Sequence, residues 1–272
     1  MMFIKKLEEI QKKNNSLVCV GLDSDFSKLP HFLKSQNYPQ LEFNKAIIEA
    51  THDLVCAYKM NSAFYEARGG QGLIELKMTL AYLHSHYPEI PTIDDAKRAD
   101  IGNTNMGYVT SIFDEMGFDS LTLHPYLGRE ALQPFLDRKD KGLIILCRTS
   151  NPGAGEFQDL KVGKKPLYQV VAEQVVKNWN TNNNCLLVVG ATYPKELAQI
   201  RTLAPNMPFL VPGIGAQGGD VEKTVKAGLD RQGRGMIINS SRGIIFAGSD
   251  KDFAQKAREA TIVLQNEINK WR

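Results

Sequence analysis

The chain has 272 residues, 43% of them hydrophobic and 23% charged, with a formal net charge of +3. These are the proportions of a globular domain with a sizeable core. So slight a charge balance, on Lys and Arg scattered along the chain, argues against a nucleic-acid or membrane partner, and no apolar run approaches the length that spans a bilayer.

The chain starts with MMFIKKLEEIQKKNN, an amphipathic helical pattern of mixed charge that lacks the apolar centre of a signal peptide. Eight short apolar runs follow, each closed by polar residues. They are SLVCVGLD (16–23), AYKMNS (57–62), PTIDDAK (91–97), SLTLHP (120–125), GLIILCRTS (142–150), CLLVVGAT (185–192), PFLVPGIG (208–215) and GMIINSSR (235–242). Between them lie stretches such as LIELKMTLAYLHSHY and KDFAQKAREATIVLQNEINKW, with apolar residues three and four apart, as on helices. Strand and helix alternating eight times predicts a (β/α)8 barrel in which residues 1–272 form one domain with a short N-terminal helix. A doubly wound open sheet is the structural alternative. Cys19, Cys56, Cys147 and Cys185 form no CxxC pair, so buried free thiols in a reducing cytoplasm are expected. His84 and His86, two apart, would face different sides of a helix, and no zinc site is expected.

Barrel active sites lie at the C-terminal ends of the strands, so the polar residues closing each run are the candidates for chemistry. The third run carries both signs of charge. Residues two apart in a strand share a face, which puts Asp95 and Lys97 together and Asp94 on the other side. Lys59, closing the second run, would be their neighbour, and Asp100 would lie just past the strand. A solvated strand end with surface ion pairs is the plain alternative. Alternating ammonium and carboxylate groups keep each other ionised and present a fixed field to a substrate whose charge moves during reaction. A lysine in such an array suits a site that stabilises a carbanion and then protonates it.

VPGIGAQGGD (211–220) follows the seventh run and NSSRG (239–243) the eighth, the usual phosphate site of this fold. Gly213, Gly215, Gly218 and Gly219 allow close backbone approach to an anion, although a tight turn would explain them equally well. Arg242 offers a fork of donors matched to phosphate oxygens. The expected ligand is a phosphorylated small molecule.

These stretches, with VGLD (20–23), YKMNSAFYE (58–66), DAKRADIGNT (95–104), TSNPGA (149–154) and SSRGI (240–244), resemble the orotidine 5′-phosphate decarboxylases, in particular their longer branch. The motifs run in family order over nearly the whole chain. The resemblance implies that Lys59, Asp95, Lys97 and Asp100 form a catalytic tetrad. It implies that Asp100 is lent across a homodimer interface to the partner's site, with Ile101 and Thr104 beside it. Asp23 and Asn61 would contact the ribose or the pyrimidine, Lys59 the ribose hydroxyls, and Ser150 the base, with Pro212 packed near it. Gln217, Arg242 and a backbone N–H near Ser241 would hold the phosphate. Lys97 would stabilise and protonate the C6 carbanion, with no metal or cofactor. RGGQG (68–72) and HPYLGRE (124–130) receive no role. A magnesium-dependent sugar-phosphate decarboxylase or aldolase of the same superfamily would need a carboxylate where Lys59 stands. A non-catalytic phosphate-sugar binding barrel would have no use for four alternating charges.

Overall fold

The computed structural model describes residues 2–215 and 218–272. Its strands are β1 (Val18–Gly21), β2 (Ala57–Met60), β3 (Thr92–Arg98), β4 (Ser120–Leu123) and β5 (Gly142–Arg148), then β6 (Lys161–Val162), β7 (Lys165–Pro166), β8 (Cys185–Val189), β9 (Phe209–Pro212) and β10 (Met236–Ser240). All but β6 and β7 close into one parallel barrel, running from β1 to β5, then β8, β9 and β10 and back to β1. Val18 pairs with Ile238 across that closure, which removes the open-sheet alternative. The pair β6–β7 is a small antiparallel ribbon carried by the loop after β5.

Apart from the second half of β3, the barrel strands are buried almost throughout, β1, β2, β4 and β8 at every position. This explains why they read as continuous apolar runs rather than as alternating ones: helices cover the outer face while side chains fill the inside. Each fully buried Leu, Ile, Val or Phe stabilises the fold by roughly 1.5–3 kcal/mol relative to exposure. The N-terminal helix, Phe3–Lys13, turns Phe3, Leu7 and Ile10 inward. Gln11 on the same helix donates to the carbonyl of Met236 at 2.8 Å, so the helix seals the N-terminal end of the barrel. Solvent therefore reaches the strands from the opposite end.

The RGGQG stretch has a structural task. Arg68 pairs with the fully buried Glu75, donates to Gln40 Oε1 at 2.7 Å and stacks over Phe26 at 4.5 Å. Glu75 Oε2 in turn accepts from the Leu41 N–H at 3.0 Å. The network ties the loop after β1 to the helices Pro39–Thr51 and Gly69–His86. All four cysteines are buried free thiols, and burial pushes those of Cys56, Cys147 and Cys185 up to about 12.

Candidate active site

Parallel register builds the charged centre. Lys59 on β2 pairs with Ile93 on β3, so Asp95, two residues on, lies on the face Lys59 uses. Lys59 is only 3% exposed, and its ammonium lies 3.0 Å from Asp23 Oδ1 and 3.3 Å from Asp95 Oδ2. Asp23, on the loop after β1, also accepts from the Asn61 N–H at 3.1 Å. Lys97 Nζ donates to Asp95 Oδ1 at 2.6 Å while its side chain stays half exposed to the cleft. Asp23, Lys59, Asp95 and Lys97 thus form one alternating chain of charge.

Burial alone would depress Lys59, but the Asp23 and Asp95 carboxylates outweigh it and hold the ammonium above its ordinary range. Burial would likewise raise Asp95. Lys59 first, then Lys97 and the Thr122 hydroxyl, reverse this and hold it at about 2. Lys59 and Asp95 therefore both stay ionised at neutral pH.

Lys97 reaches this place by an unexpected route. Simple alternation would carry it there along a regular strand, yet β3 bulges. Asp94 pairs with Leu121 and Arg98 with Leu123, so three residues of β3 stand opposite the single residue Thr122. Lys97 has φ +50°, a left-handed backbone that a side-chain-bearing residue rarely adopts. Asp94 is buried on the other side of the strand against Ser62, and burial pushes it up to about 7.

The cleft holding these groups measures about 540 Å³ and lies at the C-terminal ends of the strands. Besides Asp23, Lys59, Asn61, Asp95 and Lys97, it is lined by Ser150, Pro212, Ser241 and Arg242 from the expected set. Gly213, which lines the cleft, has φ +102°, and the nearby Gly215 and Gly218 have φ of +72° and +83°, a backbone closed to most other residues. Gln217 lies outside the described residues. Asp100, Ile101 and Thr104 do not line this chain's own cleft. Asp100 accepts from the Ile101 N–H at 2.7 Å and makes no ion pair among the described residues, while Ile101 is 62% exposed. His124 extends the β3–β4 ladder through its N–H to Arg98 and stands outside the cleft lining.

The lining is completed by Phe64, Thr149, Asn151, Gly213, Ile214, Asn239 and Ser240 from the quoted motifs, by Leu146, Val188 and Leu210 from the apolar runs, and by Gln158, which lies outside every quoted stretch. Gln158 accepts from the Thr149 N–H at 2.8 Å, and Arg148, stacked 3.9 Å over Tyr193, pairs with Asp159 at 3.0 Å. These contacts pin the segment that carries Ser150. Asn239 stands within NSSRG, three residues before Arg242.

Fold and cleft together define a (β/α)8-barrel enzyme whose cleft is lined by a charged centre and by Gly213. Comparison with known proteins gives the family. The model of the orotidine 5′-phosphate decarboxylase / HUMPS family matches residues 16–257, and the chain belongs to that family. It is 50% identical over 271 residues to the orotidine 5′-phosphate decarboxylase of Cellvibrio japonicus, covering 99% of this chain and 98% of that one. The structure of Leishmania donovani OMP decarboxylase superposes with a TM-score of 0.84 at 39% identity, over 98% of this chain and 100% of that one. Leishmania donovani UMP synthase superposes with a TM-score of 0.87 at 40% identity, over 99% of this chain but 57% of that longer one.

Proposed function

We propose that this enzyme decarboxylates orotidine 5′-monophosphate to uridine 5′-monophosphate, the last step of de novo pyrimidine synthesis, without metal or cofactor. The observation that carries the reading is the contact chain Asp23–Lys59–Asp95–Lys97 inside the cleft. The Lys59 ammonium fills the space between two carboxylates, the place a divalent cation would need in the magnesium-dependent alternative.

In this reading the phosphate lies at the Gly213–Gly219 end, held by Arg242, Gln217 and the backbone N–H of Ser241. Ser150 contacts the base with Pro212 packed near it, Lys59 the ribose hydroxyls, and Asp23 and Asn61 the ribose or the pyrimidine. The bond from C6 to the carboxylate breaks, carbon dioxide leaves, and the electron pair stays on C6. Lys97 Nζ, already positive, stabilises that pair, donates a proton to it and is reprotonated from water. Asp95, itself ionised, holds the Lys97 side chain in place through their contact. Little in the array needs to reorganise as charge moves to C6. Phosphate contacts remote from C6 contribute to turnover as well as affinity.

We also propose a homodimer in which Asp100, Ile101 and Thr104 serve the partner's cleft. Support comes from Asp100 having no cation within its own chain among the described residues, and from exposed Ile101 and Met106 beside it. Four free thiols fit a reducing cytoplasm. The test is turnover of orotidine 5′-monophosphate by chelator-treated protein. Full wild-type activity is expected, with at least a roughly 1,000-fold loss in Lys97→Ala, which removes the proton donor. An inactive wild type would overturn the function, and an unimpaired Lys97→Ala the mechanism.

A further inference from the structure

Thr122 is the one β4 residue facing the three-residue excursion of β3 that carries both Asp95 and Lys97. It is fully buried. Its hydroxyl accepts from the Lys97 backbone N–H at 2.9 Å and lies 3.0 Å from Asp95 Oδ1, the oxygen that also takes the Lys97 ammonium. The Asp94 carbonyl, at 3.4 Å, is the weaker acceptor for the same hydroxyl proton.

Where β3 bulges, the Lys97 N–H meets a β4 side chain, the Thr122 hydroxyl. The left-handed backbone of Lys97 costs free energy unless its surroundings hold it. The Thr122 hydroxyl accepts from that N–H, and through its proton it ties the same backbone to the carboxylate that Lys97 grips. A valine at this place would match threonine in shape but satisfy neither group.

We propose that Thr122 is a positioning residue that sets the left-handed bulge of β3 and thereby aims the Lys97 ammonium from Asp95 into the cleft. The inference rests on reading Lys97 as the proton donor. Thr122 itself is absent from the cleft lining, so it acts through Asp95 and Lys97 without touching substrate.

The test compares Thr122→Val and Thr122→Ser with the unaltered protein, alongside amide hydrogen exchange at Lys97. Thr122→Val is expected to lower kcat roughly 10- to 100-fold, the loss of a hydrogen bond to a charged group, with KM moving less than about threefold. Thr122→Ser restores most of the loss because it keeps the hydroxyl. In the unaltered protein the Lys97 amide exchanges slowly. A folded Thr122→Val with wild-type kcat overturns the inference, as does a Thr122→Ser no better than valine at equal Tm. A Lys97 amide exchanging at the free-peptide rate overturns it without any variant or substrate. Wild-type protein that fails to turn over orotidine 5′-monophosphate overturns the functional reading itself, which the exchange experiment does not consult.

Discussion

Replacing Lys59 by methionine removes the charge at the middle of the array while nearly keeping the volume. The ammonium lies 3.0 Å from Asp23 and 3.3 Å from Asp95, in a side chain 4% exposed. At such distances and an effective dielectric near 20, each contact is worth about 5 kcal/mol before desolvation. Desolvation of the lysine offsets part of that sum. Removing one partner of a buried pair typically costs about 3–5 kcal/mol, because the remaining charges are left uncompensated. Here two carboxylates lose their shared cation, and Asp95 keeps only Lys97. Its proton affinity, now held at about 2, rises because the first attraction opposing burial is gone. A depressed carboxylate contributes stability that is present above its unfolded value near 4 and lost as pH falls through its folded value. In Lys59→Met that contribution disappears, so the stability gap to wild type is widest at neutral pH and narrows below about pH 4. Activity falls by about 100-fold or more in kcat/KM, and its acid limb moves to higher pH. Both are measured by following orotidine 5′-monophosphate consumption across pH and by urea unfolding at two pH values. A variant within about threefold of wild type, with an unmoved acid limb, would refute the electrostatic account.

Other consequences can be checked separately. Equal amounts of Asp100→Ala and Lys97→Ala subunits, each inactive alone, recover about a quarter of wild-type activity if sites are shared in a randomly mixed dimer; no recovery sinks the shared site. Asp94, pushed up to about 7 by burial, keeps a proton in the folded chain that the unfolded chain has lost. Its contribution to stability is therefore full below about pH 4 and declines toward pH 7, so Asp94→Asn is more stable than wild type by on the order of 1–3 kcal/mol at pH 8 and equal to it in acid; a gap independent of pH counts against this. A Cβ at Gly190 would stand 2.7 Å from Ser150 Cα and 2.8 Å from its N. Gly190→Ala is expected to cost about 1–3 kcal/mol of stability and to raise KM for orotidine 5′-monophosphate at least about 10-fold by displacing Ser150; an unchanged KM means Ser150 does not read the base.

The eight strands were legible because each is a short apolar run punctuated by polar residues, and burial on both faces leaves that signature in local sequence. Lys59, Asp95, Lys97 and Arg242 were legible too, since barrel geometry sends strand-end residues to one mouth. Alternation gave Lys97 the right neighbour for an incomplete reason. It assumes an even ladder, and nothing within PTIDDAKRAD marks the bulge. Thr122 had no signal at all, because a threonine in an apolar strand reads as ordinary β-propensity.

What the sequence determined by itself is therefore the barrel, the mouth on which chemistry falls, and the residue types gathered there. The tertiary structure alone decided which charge meets which. Lys59 lies between Asp23 and Asp95, 36 residues away on either side, and Thr122 opposes Lys97 from 25 residues on. Such neighbours are set by inter-strand register and by a bulge, which depend on the packing of the closed barrel and on no local pattern.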